Sequence, residues 1–97
     1  MRLEGRSVLV TGATGGIGRA IAHELASRGC VLTVTGRREL ELKRLISELG
    51  PNARGFTADL TNPEQARDLM SKAAPVDVLV ANAGVGIPQD LEMLSDA

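Results

Sequence analysis

Apolar residues recur along this chain in two alternating rhythms, and the switches between them divide it into elements. Ser7-Val8-Leu9-Val10 is a short apolar run suited to a buried strand. After a glycine-rich stretch, Ile17, Ile21 and Leu25 recur every fourth position and Gly29 stands where a left-handed helix cap belongs, so residues 16–28 read as a helix. Cys30-Val31-Leu32-Thr33-Val34-Thr35 is again strand-like. Leu42, Leu45, Ile46 and Leu49 follow the i, i+3, i+4, i+7 spacing of an amphipathic helix over 38–49, which Gly50-Pro51 ends. Residues 53–58 make a short third strand. Asn62 is a good N-cap, Pro63 suits the first helical position and Gln65 is placed to reach back, while Ala66, Leu69, Met70 and Ala73 supply the stripe of a third helix that Pro75 stops. Val76-Asp77-Val78-Leu79-Val80-Ala81 has the branched, apolar character of a parallel strand buried on both faces. Ile87 to Ala97 reads as the beginning of a fourth helix, with Leu91 and Leu94 on one side.

Alternating strands and helices imply an α/β fold with a parallel sheet. Right-handed crossovers put the first two helices on one face and the third on the other, giving the strand order 3-2-1-4. That is the first half of a three-layer, doubly wound sheet, whose switch point lies at the glycine-rich stretch after the first strand.

That stretch, Thr11-Gly12-Ala13-Thr14-Gly15-Gly16-Ile17-Gly18, is the chain's most informative chemistry. Glycines between a strand and a helix let the backbone turn sharply and bring its N–H groups against phosphate oxygens, at a helix N-terminus whose dipole favours anions. A tight strand-to-helix connection with no ligand remains the alternative. A P-loop fits poorly, because Gly18-Arg19-Ala20 stands where Gly-Lys-Ser/Thr is required.

Length and charge narrow the function. A chain of 97 residues forms one domain with a thin core, burying about two thirds of its unfolded surface. Lys plus Arg total 11 against 12 Asp plus Glu, a balance that gives no field for nucleic acid or an anionic membrane. One cysteine forms no internal disulfide, and there is no signal-like h-region or apolar span of about 18 residues, so a cytoplasmic setting is expected. Cys30 reads as a small buried residue, His23 as a solvated one, and no metal site suggests itself.

Thr11-Gly12-x-x-x-Gly16-Ile17-Gly18, Asp59-Leu60 and Asn82-Ala83-Gly84, in that order and spacing, resemble the motifs of short-chain dehydrogenases/reductases over nearly the whole chain. The resemblance implies a Rossmann-type domain, 1–97, that holds NAD or NADP for hydride transfer between carbonyl and alcohol substrates. It implies further that Gly12, Ala13, Thr14, Gly15, Gly16, Ile17 and Gly18 cradle the pyrophosphate, that Asp59 and Leu60 border the adenine, and that Asn82, Ala83 and Gly84 border the ribose and nicotinamide. Asp59 as a turn cap and Asn82 as a strand-ending turn residue stay open beside these roles. Where an acid would pair with the ribose 2′-hydroxyl of NAD, the chain has Thr35-Gly36-Arg37-Arg38. Two guanidiniums suited to phosphate oxygens favour NADP over NAD. Cations at a helix N-terminus are slightly unfavourable, a misfit that a bound anion would relieve; a merely solvated helix start is the alternative. One departure is Gly15, where many NADP-using members place a basic residue.

The family's catalysis rests on a Tyr, a Lys four residues later, a Ser and an Asn, all beyond the Asn-Ala-Gly motif. This sequence contains no tyrosine; Lys43 and Lys72 belong to the second and third helices, and Ser95 comes too early. The expectation is therefore an NADP(H)-binding portion of such an oxidoreductase, incomplete relative to the family and inactive alone, with a stand-alone dinucleotide-binding or sensing module as the alternative. An apolar fourth strand with only Asp77 to discourage pairing predicts self-association or recruitment of a missing C-terminal half.

Overall fold

Residues 2–81 are described by the computed structural model; Asn82-Ala83-Gly84, the helix expected from Ile87 and Ser95 lie outside the described residues. Four strands, β1 (Ser7–Thr11), β2 (Val31–Gly36), β3 (Ala53–Thr57) and β4 (Val78–Ala81), alternate with three helices, α1 (Gly16–Ser27), α2 (Glu39–Leu49) and α3 (Pro63–Ala73). All the strand pairs are parallel, in the order β3-β2-β1-β4, as the crossover rule requires.

Alternation along each strand divides the core in two. Val8, Val10, Leu32 and Val34 face one side, where Ala22 of α1 and Leu42 and Leu45 of α2 cover them. Leu9, Leu79 and Ala81 face the other, under Leu69 and Ala73 of α3. The apolar stripe of α1 differs from its expected course: Ile17 is 70% exposed, whereas Gly18 and Ala22 are buried and Leu25 packs against the core. Gly18 and Ala22, four positions apart, share the face that meets the sheet, and Ile17, about 100° round the helix from Gly18, points away from it.

The helix ends follow their sequence signals. Gly29, at φ +83°, closes α1: its N–H donates to Ala26 O (3.1 Å) and the N–H of Cys30 to Leu25 O (3.2 Å), the paired bonds of a Schellman motif. Asn62 caps α3 by accepting from the N–H groups of Glu64 (3.0 Å) and Gln65 (3.3 Å). Gln65 reaches back further than a capping box would, its Oε1 accepting from Asp59 N–H at 2.8 Å.

Strand β4 begins at Val78, two residues later than expected, because Asp77 is used otherwise. Its N–H donates to Ser7 O (2.8 Å) and its Oδ2 accepts from Ser7 N–H (2.9 Å), so the carboxylate closes the entrance of β1. Asp77 is thus bonded to β1 through both its backbone and its side chain.

Candidate nucleotide-phosphate cleft

Parallel strands deliver their C-terminal ends to one edge of the sheet, and the loops that leave β1, β2 and β3 there enclose a cleft of about 450 Å³. Gly12, Thr14 and Gly15 line it from the first loop; Gly36, Arg37, Arg38 and Glu41 from the end of β2 and the start of α2; Ala58, Asp59, Leu60 and Thr61 from the turn after β3. Residues far apart in sequence thus meet at one cleft.

The first loop is folded by its backbone. Gly12 takes φ +62°, which an L side chain rarely adopts, and Gly15 N–H donates to Gly12 O at 3.2 Å. Ala13 is fully buried and its N–H donates to Thr35 O at 2.9 Å, so this member of the motif anchors the loop to β2 with its own amide. Gly16, Ile17 and Gly18 form the first turn of α1 and do not line the cleft. That helix is capped by Gly15 with no side-chain hydrogen bond, has no acid in its first turn, and leaves nothing beyond its own turn and the chain neighbours within 4 Å of where a Cβ on Gly16 would stand. An N-terminus without a side-chain cap, open on its approach side, suits an oxyanion.

Asp59 does cap a turn. Its Oδ1 accepts from Thr61 N–H (3.0 Å) and from the Thr61 hydroxyl (2.6 Å), while Asn62 N–H donates to Asp59 O (3.0 Å). The Thr61 hydroxyl, and after it the Thr61 N–H and the charge of Arg37, hold this carboxyl below the ordinary carboxylate range. Asp59 therefore caps the turn and lines the cleft at the same time.

Arg38 is the N-cap position of α2, and its Nη1 donates to Glu41 Oε1 at 3.2 Å. The misfit expected of cations at this helix start is already relieved: Glu39 and Glu41 occupy its first turn. Reading the sequence for an acid at the end of β2 overlooked Glu41, which the first turn of the helix swings into the cleft wall. Its one signal was the i, i+3 spacing from Arg38. Thr61, two residues beyond Asp59, was overlooked as well. Gly36, which the sequence marks only by its place before the arginines, belongs to the site by its contact: a Cβ there would meet Thr14 side-chain atoms at 2.9 Å.

Among the described residues there is no group of three or more His, Cys, Asp or Glu able to hold a metal ion, and no helix long and apolar enough to cross a membrane. Cys30 is buried, and that burial raises its pKa despite the nearby Arg28. His23 Nε2 lies 2.9 Å from Glu48 Oε1, exposed on the outer surface of the α1–α2 pair.

Known proteins resemble the chain over most of its length. The family model described as short chain dehydrogenase matches residues 6–97. Nodulation protein G of Rhizobium sp. (strain N33) is 41% identical, over 98% of this chain and 40% of its own length. The 3-oxoacyl-[acyl-carrier-protein] reductase FabG of Escherichia coli (strain K12) is 39% identical over 88% of this chain and 36% of its own. The chain thus spans two fifths or less of the length of these relatives. Among solved structures, a short chain dehydrogenase/reductase family protein superposes with a TM-score of 0.81 at 40% identity, covering 88% of this chain and 36% of that one. A short chain dehydrogenase/reductase from Burkholderia phymatum in complex with NAD superposes with a TM-score of 0.77 at 30% identity, covering 81% and 31%.

Proposed function

This chain belongs to the short-chain dehydrogenase family, and from that membership we propose that it forms the NADP(H)-binding part of an oxidoreductase acting on a carbonyl or alcohol substrate. The observation that carries the reading is a single cleft joining the N-terminus of α1, which has no side-chain cap, to the Arg37-Arg38 pair. The turn of Gly12 to Gly18 would take the pyrophosphate, with backbone N–H groups and the helix dipole as the attracting field. Arg37 and Arg38 would take the 2′-phosphate, whose oxygens match the guanidinium fork. Asp59 and Leu60 would border the adenine, and Asn82, Ala83 and Gly84 the nicotinamide side. When bound, the nicotinamide supplies the hydride or accepts it.

Proton transfer is a separate matter. The sequence holds no tyrosine, so the residues of this chain are assigned binding and orientation, not catalysis. Substrate selection and the proton-transfer residues would come from a C-terminal half, and the apolar β4 is where the chain would pair with that half or with a second copy of itself.

Fluorescence titration of the purified chain with NADPH, and with NADH alongside, tests the assignment; the absence of tryptophan leaves the reduced nicotinamide as the signal. Saturable binding that is tighter for NADPH is expected. A folded chain that binds neither, or prefers NADH, overturns it. Sedimentation at rising concentration tests the assembly: a monomer throughout removes the self-association arm.

A further inference from the structure

The cationic wall of the cleft already has anionic partners. Arg38 and Glu41 are joined at 3.2 Å within the first turn of α2, and both line the cleft together with Arg37 and Asp59. Two guanidiniums and two carboxylates therefore line one cleft, and a 2′-phosphate entering it meets compensated charge. The two carboxylates are not equivalent. Asp59 Oδ1 is committed to Thr61 through both the N–H and the hydroxyl, whereas the described partner of Glu41 is Arg38 alone. The Arg38 side chain is 78% exposed and that of Glu41 46%, so the pair is held by one helical turn and water, and either member re-partners at small cost.

We propose that Glu41 is a specificity-determining residue of this cleft: it holds Arg38 in the ligand-free protein, competes with a 2′-phosphate for that guanidinium, and offers its carboxylate to a 2′-hydroxyl when no phosphate is present. The inference rests on the NADP(H) assignment above. Its consequence is a preference for NADP narrower than two arginines alone would impose, because the phosphate must displace one anion and sit beside it, whereas the hydroxyl gains an acceptor. Breaking an exposed ion pair of this kind is equivalent to about two- to fivefold in affinity, and relief of the like-charge contact adds to it.

The test is competition against NADPH fluorescence by 2′,5′-ADP and by 5′-AMP, fragments that differ only in the 2′-phosphate, in the wild-type chain, Glu41→Gln and Glu41→Asp, all at one ionic strength. Glu41→Gln is expected to raise the ratio of 2′,5′-ADP to 5′-AMP affinity by about three- to tenfold. Glu41→Asp, which keeps the charge, is expected to stay near the wild-type ratio. Adding Arg38→Ala is expected to reduce the gain to the part that comes from the like-charge contact and the lost hydroxyl acceptor, since the guanidinium under competition is then gone. An unchanged ratio in Glu41→Gln, with wild type binding 2′,5′-ADP in preference to 5′-AMP, overturns the role of Glu41 and leaves the NADP(H) assignment standing. A wild-type chain with no preference for 2′,5′-ADP overturns both.

Discussion

The side chain of Thr14 stands against the backbone of Gly36 so closely that a Cβ on Gly36 would lie 2.9 Å from both Cγ2 and Oγ1 of the threonine. Beside this contact, Ala13 N–H donates to Thr35 O at 2.9 Å, so the first loop is fastened to the end of β2 by a hydrogen bond and by the missing side chain of one glycine. Two walls of the cleft take their spacing from that arrangement.

Gly36→Ala is therefore expected to be expensive. Threonine is stiff at χ1 and its clashing atoms sit on Cβ, so relief requires the loop itself to move, a cost of about 1–3 kcal/mol. Thr14→Ala in the same chain removes both clashing atoms, and most of the loss is expected to return. A double-mutant cycle from urea unfolding measures this; simple additivity of the two substitutions would show that the contact does not set the loop.

Gly55 of β3 carries the same logic to the outer edge of the sheet. A Cβ there would meet Ile46 Cδ1 at 2.5 Å and Val34 O at 3.1 Å. The isoleucine tip can swing away but the backbone oxygen cannot, so Gly55→Ala is expected to destabilise by about 1–2 kcal/mol, and Ile46→Val to recover only part of it. Because residue 55 lies outside the cleft lining, dinucleotide affinity of the folded fraction should be unchanged. A loss of affinity without loss of stability would contradict this account.

Asp59 gives the chain an acid-sensitive element. Its pKa is lowered in the folded state, first by the Thr61 hydroxyl, so its contribution is fully present above the unfolded carboxylate value near pH 4 and disappears as pH falls through the lower folded value. Thr61→Val removes the hydroxyl donor. The stability gap between wild type and Thr61→Val is expected to be widest above about pH 5 and to shrink toward about pH 2.5, modestly because the group is exposed. Thermal unfolding of both chains across that range decides it; a gap independent of pH would place the effect of Thr61 in packing.

Much of this architecture was legible in the sequence because it depends on strong local signals. Runs such as Val8-Leu9-Val10, helix ends at Gly29 and Asn62, and right-handed crossovers together yield the strand order. Where the sequence misled, small or charged residues had acquired tertiary roles. Ile17 was assigned to the buried stripe by hydrophobicity, but close approach to the sheet is made by Gly18 and Ala22, whose small size is the reason for their burial. Asp77 read as an edge charge until Ser7 N–H became its partner across the first strand. In the cleft, the glycines and Arg37-Arg38 announced themselves by motif. Glu41 and Thr61 did not, since their importance comes from the fold that sets them beside Arg38 and Asp59.

Replacing both arginines separates phosphate recognition from general binding. Arg37→Ala with Arg38→Ala is expected to weaken NADPH by tenfold or more, on the order of two charge-assisted contacts, and NADH far less. Equal weakening of the two cofactors would mean that the arginines act through the fold or the general field and not at the 2′ position.

Gly16 distinguishes a glycine kept for a ligand from one kept for the protein. At Gly36 the protein itself fills the space of a Cβ, whereas at Gly16 nothing beyond its chain neighbours and its own helical turn lies within 4 Å of it. Gly16→Val should therefore leave the free chain within about 0.5 kcal/mol of wild type, since the residue opens α1 and meets no neighbour. The same side chain would project over the N–H groups of the first turn and keep a pyrophosphate from close approach. Affinity for NADPH and NADH is expected to fall together, by more than tenfold, with the urea midpoint unchanged. Retained binding would show that the phosphates do not approach this turn; lost binding accompanied by lost stability would return Gly16 to an ordinary structural role.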